Sequence, residues 1–327
     1  MAESVKDIRV DTRYVGQHGI ARYASEVIPR LTVDWAHFEP PGAPTSLRGL
    51  LSPRYRELGP NTLLYSPGFN VARTNATQVP TVHDLIHLRQ PRRGRGALHW
   101  AYYERVVRPT LQRTGHVFTV SQTSAHAIRD WIGDSVIVHD TGNGCSASFA
   151  KHGASFTPGY PYLLYVGNLK PHKNPELVFA ALAQLPELRL IVVTGDRERV
   201  AELAHAYRVE RQTSVLGSVD DDQLAELYRG AAALAFPSIV EGFGLPVLEA
   251  LKCGTPVVYL RECRSVNEIC AGGQFAVDSS TDGHEFADAC LRAISSPVNP
   301  PDLSRFDWGH VAQRVNVVLD MLREADE

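Results

Sequence analysis

The stretch Ala235–Tyr259, AFPSIVEGFGLPVLEALKCGTPVVY, contains the pattern that decides the fold. It opens in a short apolar run that predicts a buried strand, and a tight loop follows at Glu241–Gly244. Leu245 and Pro246 then begin a helix, since the first helical positions tolerate proline, and another apolar strand follows Gly254. A glycine loop that leads into a helix points several backbone N–H groups in one direction, and the helix dipole adds to their charge. Such a loop is suited to a phosphate or a diphosphate.

Two carboxylates accompany this loop. Seven residues separate Glu241, in the loop itself, from Glu249, in the first turns of the helix. Because the loop and the first helical turns are neighbours, both carboxylates can face one bound ligand. The alternative is that both are ordinary surface charges and that the glycines only allow a tight turn.

Strand-like and helix-like segments alternate along the 327 residues, which predicts an α/β fold with parallel sheets that helices cover on both faces. The chain is longer than a typical single domain, and the polar segment 151–161, with its glycines and prolines, is the best linker candidate. We therefore expect two Rossmann-like domains, at residues 1–155 and 156–305, and a C-terminal helix over residues 306–327.

Apolar runs predict the individual strands. In the first half they are IRVDTR, NTLLYSP, VPTVHD, HVFTVS and SVIVHD. In the second half YLLYVG, LRLIVVTGD and TSVLGS precede the two strands of the opening stretch. The acidic residues Asp220–Asp222 superficially resemble a metal cluster, but they begin the helix DDDQLAELYRGA and are better explained by its dipole. No metal site is predicted.

The composition is that of a soluble globular protein, with 44% hydrophobic and 21% charged residues. No apolar run approaches the roughly 20 residues that span a bilayer, and the N-terminus has no signal-peptide core. The five cysteines form no Cys-x-x-Cys pair, which argues against a disulfide framework and a zinc site. These features predict a cytoplasmic protein.

The charge is distributed unevenly between the two halves. Residues 1–155 contain 18 Lys and Arg against 12 Asp and Glu, whereas residues 156–327 contain 15 against 24. A basic first half suggests an anionic acceptor or a peripheral contact with the inner face of an acidic membrane, although solvation of arginine-rich helices explains it equally well. Arg92, Arg93 and Arg95, followed by an aromatic-rich helix, belong to this basic region. No nucleic-acid motif accompanies them, so no nucleic-acid partner is expected.

Two further segments place chemistry at the carboxyl ends of predicted parallel strands, where such sheets bind ligands. In Tyr165–Asn174, YVGNLKPHKN, Lys173 can neutralise a diphosphate as a mobile charge. In Thr81–Leu85, TVHDL, His83 can hydrogen-bond a sugar or orient an acceptor. A strand-end histidine by itself is more often structural.

A third loop, between the first predicted strand and the first helix, contains Gly16 and Gly19. Its backbone can approach phosphates. The spacing is not Gly-x-Gly-x-x-Gly and no acidic residue follows about 20 positions later, so a dinucleotide site is not expected.

The string from Glu241 to Glu249 resembles the signature of the retaining glycosyltransferases of family four, which have the GT-B fold of two Rossmann-like domains facing each other across a cleft. The resemblance covers nearly the whole chain. It is greatest to the mannosyl-transferring branch, because Val82–Leu85 reads VHDL. It implies that the C-terminal helix crosses back to the first domain.

The resemblance also implies residue roles for a nucleotide diphospho-sugar donor, with GDP-mannose favoured. The catalytic residues would be His83 and Glu241, beside the transferred sugar, and Lys173, at the phosphates. Glu249 would bind the ribose. The remaining donor contacts would be Gly16, Gly19, Asn168, Gly242, Phe243, Gly244 and Leu245, of which Asn168 stands where many family members have arginine.

The reaction implied is transfer of the sugar to a glycan or lipid-linked acceptor by front-face attack, without a metal or other cofactor. Two alternatives stay open. One is a phosphorylase or an epimerase on the same fold. The other is a non-catalytic partner that binds a nucleotide or a sugar, which the departure at Asn168 supports.

Overall fold

The computed structural model describes residues 6–16, 19–44, 46–50, 52–89, 95–296 and 301–324. The chain divides into two compact units, which we call the N-terminal unit (Met1–Gly144 with Arg305–Glu327) and the C-terminal unit (Cys145–Ser304). Arg92 and Arg93 of the predicted basic region lie outside the described residues, as do the two residues between Gly16 and Gly19.

The sequence places residues 145–155 in the first domain, whereas in the structure they belong to the C-terminal unit. Phe149 packs edge-on against Tyr228, with ring centroids 5.9 Å apart, and the Arg229 guanidinium donates to the carbonyl of Ala154 at 2.6 Å. These contacts tie the segment to the C-terminal unit.

Parallel strands form the centre of the N-terminal unit. They are β1 (Asp7–Asp11), β2 (Trp35–Phe38), β3 (Thr62–Ser66), β4 (Thr77–Pro80), β5 (His116–Thr119) and β6 (Ile137–Asp140). Four of them form a sheet in the order β2-β1-β3-β4, and β5 pairs with β6. A single bridge between Thr81 and Phe118 joins the end of β4 to β5.

Helices alternate with these strands. They are α1 (Gly19–Val27), α2 (Leu47–Leu50), α3 (Arg95–Tyr102), α4 (Arg108–Thr114) and α5 (Gln122–Ile132), with π-helical turns over Tyr103–Val107 between α3 and α4. Ser121 caps α5, since its hydroxyl accepts the N–H of Ser124 at 3.0 Å.

The C-terminal unit contains one six-stranded parallel sheet. Its strands are β7 (Tyr162–Val166), β8 (Arg189–Val193), β9 (Thr213–Leu216), β10 (Ala233–Phe236), β11 (Val257–Leu260) and β12 (Phe275–Val277). They lie in the order β12-β11-β10-β7-β8-β9, which is the doubly wound Rossmann order. The chain therefore reverses direction across the sheet between β7 and β10, where such sheets form a ligand crevice.

Six helices cover this sheet. They are α6 (Pro175–Leu182), α7 (Arg197–Ala206), α8 (Asp221–Gly230), α9 (Leu245–Lys252), α10 (Arg264–Cys270) and α11 (Gly283–Ser295). The reading of Asp220–Asp222 as helix-start charges is confirmed. The Asp220 carboxylate accepts the N–H of Gln223 at 2.8 Å, and the Gln223 side chain accepts the N–H of Asp220, so the two form a capping box.

Every strand predicted from an apolar run is confirmed, but β2 and β12 were not predicted. Both lie at the edge of their sheet. In β2 only Phe38 is buried, and in β12 only Val277. An edge strand packs against one neighbour and buries few side chains, so its sequence carries no long apolar run.

The C-terminal helix α12 (Trp308–Glu324) packs within the N-terminal unit. Its buried Asn316 fastens it to the chain that follows α1. The side-chain oxygen accepts the N–H groups of Thr32 at 2.8 Å and Val33 at 3.4 Å, and the side-chain nitrogen donates to the carbonyl of Arg30 at 3.3 Å. One amide thus satisfies three backbone groups.

We expect Asn316→Ala to destabilise the N-terminal unit by about 2–3 kcal/mol, because it leaves partly buried N–H groups without a partner. All four tryptophans lie in this unit, so urea unfolding followed by tryptophan fluorescence measures its stability directly. Gln313→Ala, on the exposed face of the same helix, is the control and should change stability by no more than about 0.5 kcal/mol. Equal stability of N316A and Q313A would show that Asn316 does not anchor α12.

Candidate active site

The strand order of the C-terminal unit brings two sequence-distant loops together. Strands β7 and β10 pair side by side, so the loop after β7 and the loop after β10 leave the same edge of the sheet. Within that edge the N–H of Ile239 donates to the carbonyl of His172 at 2.9 Å. The crevice expected at the point where the strand order reverses is therefore lined by these two loops.

Lys173 and Glu241 meet at this edge. The Lys173 Nζ lies 2.5 Å from the Glu241 Oε1, although 68 positions separate the residues in the chain. The lysine ammonium also lies 5.8 Å from the centroid of the Phe236 ring. The side chains are only 18% and 11% exposed, so each charge is partly removed from water and depends on the other for compensation.

The backbone and surroundings of Glu241 are also fixed. The hydroxyl of Ser265, on α10, donates to the Glu241 carbonyl at 3.0 Å. Burial, and then the Glu241 carboxylate, raise the pKa of the Tyr165 phenol. The same two causes raise the pKa of Cys263 to about 12, so this thiol stays protonated at neutral pH.

The glycine loop reaches the start of α9 as the sequence predicts. Gly242, Phe243 and Gly244 are buried, and Gly244 has φ +113°, which an L-residue rarely adopts. A β-carbon there would also lie 3.1 Å from a Val266 methyl. Among the described residues, neither the Gly244 nor the Leu245 amide donates to another protein group. These N–H groups at a helix N-terminus form the kind of site that binds anions.

The loop after β7 leaves open space at the same edge of the sheet. Gly167 has φ +141°, and a β-carbon built on it would meet nothing within 4 Å. Asn168, next in the chain, is exposed, and its side-chain oxygen accepts the N–H of Lys170 at 3.2 Å. Its carbonyl accepts the hydroxyl of Tyr165 at 2.8 Å. Asn168, which stands where many family members have arginine, therefore forms hydrogen bonds that stabilise its own loop.

Glu249 has a partner that sequence reasoning missed. The hydroxyl of the buried Tyr228 donates to the Glu249 Oε2 at 3.0 Å. Burial and the adjacent carboxylate raise the Tyr228 pKa well above its usual value, so the phenol stays a donor. Tyr228 lies on α8, whose apolar spacing indicates a core position. No local signal distinguishes a tyrosine that orients a carboxylate from one that only packs.

Comparison with known proteins fits this geometry. Residues 149–307 match the family described as "Glycosyl transferases group 1". The match covers most of the C-terminal unit and does not extend into the first 148 residues.

Two curated relatives share parts of the chain. The D-inositol 3-phosphate glycosyltransferase 2 of Catenulispora acidiphila is 29% identical over 186 residues, which are 50% of this chain and 44% of the relative. The O-antigen chain mannosyltransferase B of Escherichia coli is 38% identical over 105 residues, 30% of this chain and 28% of the relative. This chain therefore matches less than half the length of either relative.

A solved structure extends the likeness to both units. Anabaena HepE, crystallised with UDP and glucose, matches with a TM-score of 0.64 at 17% identity, covering 97% of this chain and 95% of that one. The fold is thus GT-B, as the sequence resemblance implied.

The other predicted site residues lie in the N-terminal unit. His83 follows β4, and its Nε2 lies 2.9 Å from the carbonyl of Pro67. Because a carbonyl only accepts, this nitrogen carries the proton. The imidazole ring packs edge-to-face with the ring of buried Tyr23, with the ring centroids 5.0 Å apart. The hydroxyl of Ser124 donates to the His83 carbonyl at 2.8 Å. The histidine is held firmly, and its catalytic role stays a prediction.

Gly16 has φ +123°, and Gly19 begins α1. Their contact with a donor also stays a prediction. Among the described residues, no group of three or more His, Cys, Asp or Glu side chains could hold a metal ion. No helix of the described residues is long and apolar enough to cross a membrane.

We expect Lys173 and Glu241 to be energetically coupled by about 1–3 kcal/mol, because removing one partner leaves a partly buried charge uncompensated. The measurement is a double-mutant cycle of Lys173→Met, Glu241→Gln and the double variant, followed by urea unfolding. The exposed pair Arg261–Asp278 is the comparison cycle and should give a smaller coupling. Additive effects at 173 and 241 would contradict a stable ion pair.

Proposed function

We propose that this chain is a retaining glycosyltransferase that transfers a sugar from a nucleotide diphospho-sugar to a glycan or lipid-linked acceptor. The observation that supports this most is the contact of Lys173 with Glu241 beside the glycine loop. A cation and a carboxylate there lie beside a helix N-terminus of the kind that binds anions, at the edge of a Rossmann-type sheet where ligands are expected.

The diphosphate of the donor would bind at the start of α9. The Gly244 and Leu245 amides provide donors, and the Lys173 ammonium provides the countercharge. Negative charge on the diphosphate grows as the sugar departs, so a cation at this position stabilises the transition state more than the ground state. A lysine suits this role, since its flexible stem lets the charge move from Glu241 to the phosphate.

Glu249 would bind the ribose hydroxyls. Glu249 lies one turn into α9, close to the glycine loop. A nucleotide whose ribose bound Glu249 would have its base on one side of this residue and its diphosphate on the other. The hydrogen bond from Tyr228 fixes one carboxylate oxygen, which leaves the group oriented before a nucleotide arrives. A preoriented carboxylate loses less side-chain entropy on binding.

Glu241 would lie beside the sugar ring. When the diphosphate draws Lys173 away, the Glu241 carboxylate is left to face the positive charge that develops at the anomeric carbon. The proposal needs no enzyme nucleophile and no metal, and the acceptor attacks from the face that the diphosphate leaves.

The donor is proposed as GDP-mannose-type. The VHDL segment and the mannosyltransferase among the relatives favour it, whereas the HepE structure contains UDP and glucose. Incubating the purified chain with GDP-mannose or UDP-glucose and a membrane-lipid extract, and measuring the nucleoside diphosphate released, tests the proposal. Release of sugar phosphate, or of nothing from either donor, would contradict it.

We expect Glu249→Gln to weaken binding of GDP or UDP by about ten- to a hundredfold. A carboxylate that accepts two ribose hydroxyls contributes on the order of 1.5–3 kcal/mol. Isothermal titration calorimetry measures the dissociation constant. Excess EDTA in the same titration tests whether nucleotide binding is independent of metal ions. Exposed Glu262→Gln is the control. An unchanged constant in E249Q would remove Glu249 from the ribose site.

We expect Lys173→Ala to lower turnover by about a hundredfold or more, since the lost charge acts mainly in the transition state. Nucleotide release under saturating donor gives kcat, and Lys252→Ala, at the far end of α9, controls for loss of a lysine. Because K173A leaves the Glu241 carboxylate uncompensated, we expect its melting temperature to fall, so turnover is measured well below that temperature. A K173A enzyme as fast as K252A would rule out the leaving-group role.

A further inference from the structure

A cavity of about 510 Å³ opens in the N-terminal unit, between the loop that follows β3 and the helical segment from α3 to α4. Three arginines line it: Arg73 from the loop, and Arg105 and Arg113 from the helical segment. No aspartate or glutamate is among the lining residues. Neither His83 nor the loop after β1 contributes to it, so it is separate from the residues discussed above.

The three arginines have no ion-pair partner in the part of the chain that the structure describes. All are exposed, and none forms an ion pair with a carboxylate of the described residues. The Arg113 guanidinium donates to the Ala76 carbonyl at 3.2 Å, which holds it at the cavity. Three positive charges thus line one concavity, and no carboxylate of the described residues forms an ion pair with any of them.

Another arginine of the same helical segment behaves differently. Arg108 pairs with Glu104 at 3.1 Å and lies 6.0 Å from the centre of the Trp131 ring. An arginine of this segment that packs against the protein can therefore form an ion pair with a neighbouring carboxylate. Among the described residues, the three arginines that line the cavity have no carboxylate partner.

Neutral polar residues also line the cavity. Asn75 lies beside Arg73, and Thr110 lies between Arg105 and Arg113 on the helical segment. Guanidinium groups match the geometry of phosphate oxygens, and an amide or hydroxyl can donate to the remaining oxygens. The volume falls in the range of small-molecule sites.

We propose that this cavity binds a phosphate group, carried by a small phosphorylated molecule or by a lipid headgroup. The proposal does not depend on the glycosyltransferase reaction, because binding here is measured without a sugar donor. Both sources present the same chemistry to the arginines, and the experiment distinguishes them.

The soluble arm titrates glycerol 1-phosphate into the parent chain, Arg105→Gln, Arg73→Gln and the control Arg108→Gln, by calorimetry. The lipid arm measures co-flotation of the same proteins with vesicles of phosphatidylglycerol and of phosphatidylcholine. We expect R105Q and R73Q each to weaken phosphate binding about tenfold, since each removes a charge-assisted hydrogen bond. R108Q should stay within about twofold, because Arg108 is already paired.

Loss of glycerol 1-phosphate binding in R105Q and R73Q but not in R108Q supports the site with a small phosphorylated ligand. The same pattern in flotation, confined to phosphatidylglycerol, supports it with a lipid headgroup. Equal weakening in all three variants would mean that only net charge matters and would overturn the proposal. So would a parent chain that binds neither probe. Arg105 forms no hydrogen bond with the described protein, so R105Q should melt at the parent temperature.

Discussion

The parallel pairing of β7 with β10 is the constraint on which the candidate site depends. Leu163 and Leu164 of β7 lie in register with Ala233 and Leu234 of β10, and all four side chains are buried. Backbone hydrogen bonds and this buried contact fix the two strand ends next to each other. Lys173 and Glu241 follow those ends by a few residues each, so their contact is a consequence of strand order. A sheet that placed β8 between them would separate the charges by another strand spacing of about 4.8 Å.

The same constraint explains why the site is polar although it borders a core of buried apolar side chains. Parallel sheets bury both faces, and polar groups concentrate where strands end. At that edge the ring of buried Phe236 lies 5.8 Å from the Lys173 ammonium. Partial desolvation raises the cost of each isolated charge and strengthens the attraction between them. Lys173 is therefore already positioned at this edge, and an anion that bound there would have to compete with one carboxylate for it.

Much of this site could be predicted from the sequence, because its parts are local. The glycine loop, the proline at the second position of α9, and the carboxylates on either side form one contiguous string. Tyr228 could not be predicted as the partner of Glu249, nor Asn316 as the anchor of α12, because both act across long stretches of chain. Periodicity reports which side of an element is buried, and it does not report which distant group that side meets. Strands β2 and β12 were not predicted for a related reason, because an edge strand buries few side chains.

Both units contain a parallel sheet whose strand order reverses, but the space at the point of reversal differs between them. In the N-terminal unit the strand order reverses between β1 and β3, so a crevice is expected at their carboxyl ends as well. There the chain's own Tyr14 takes part of the space. The N–H of Asn70 donates to its hydroxyl at 3.3 Å, and a β-carbon at Gly68 would lie only 2.4 Å from its ring. Burial raises the pKa of this phenol well above its usual value, so it stays neutral. In the C-terminal unit the corresponding space beside Gly167 has no such side chain within 4 Å of the position a β-carbon would take. That difference, together with Lys173 in the loop after β7, supports the proposal that a nucleotide binds at the second sheet, although both sheets have a point of reversal.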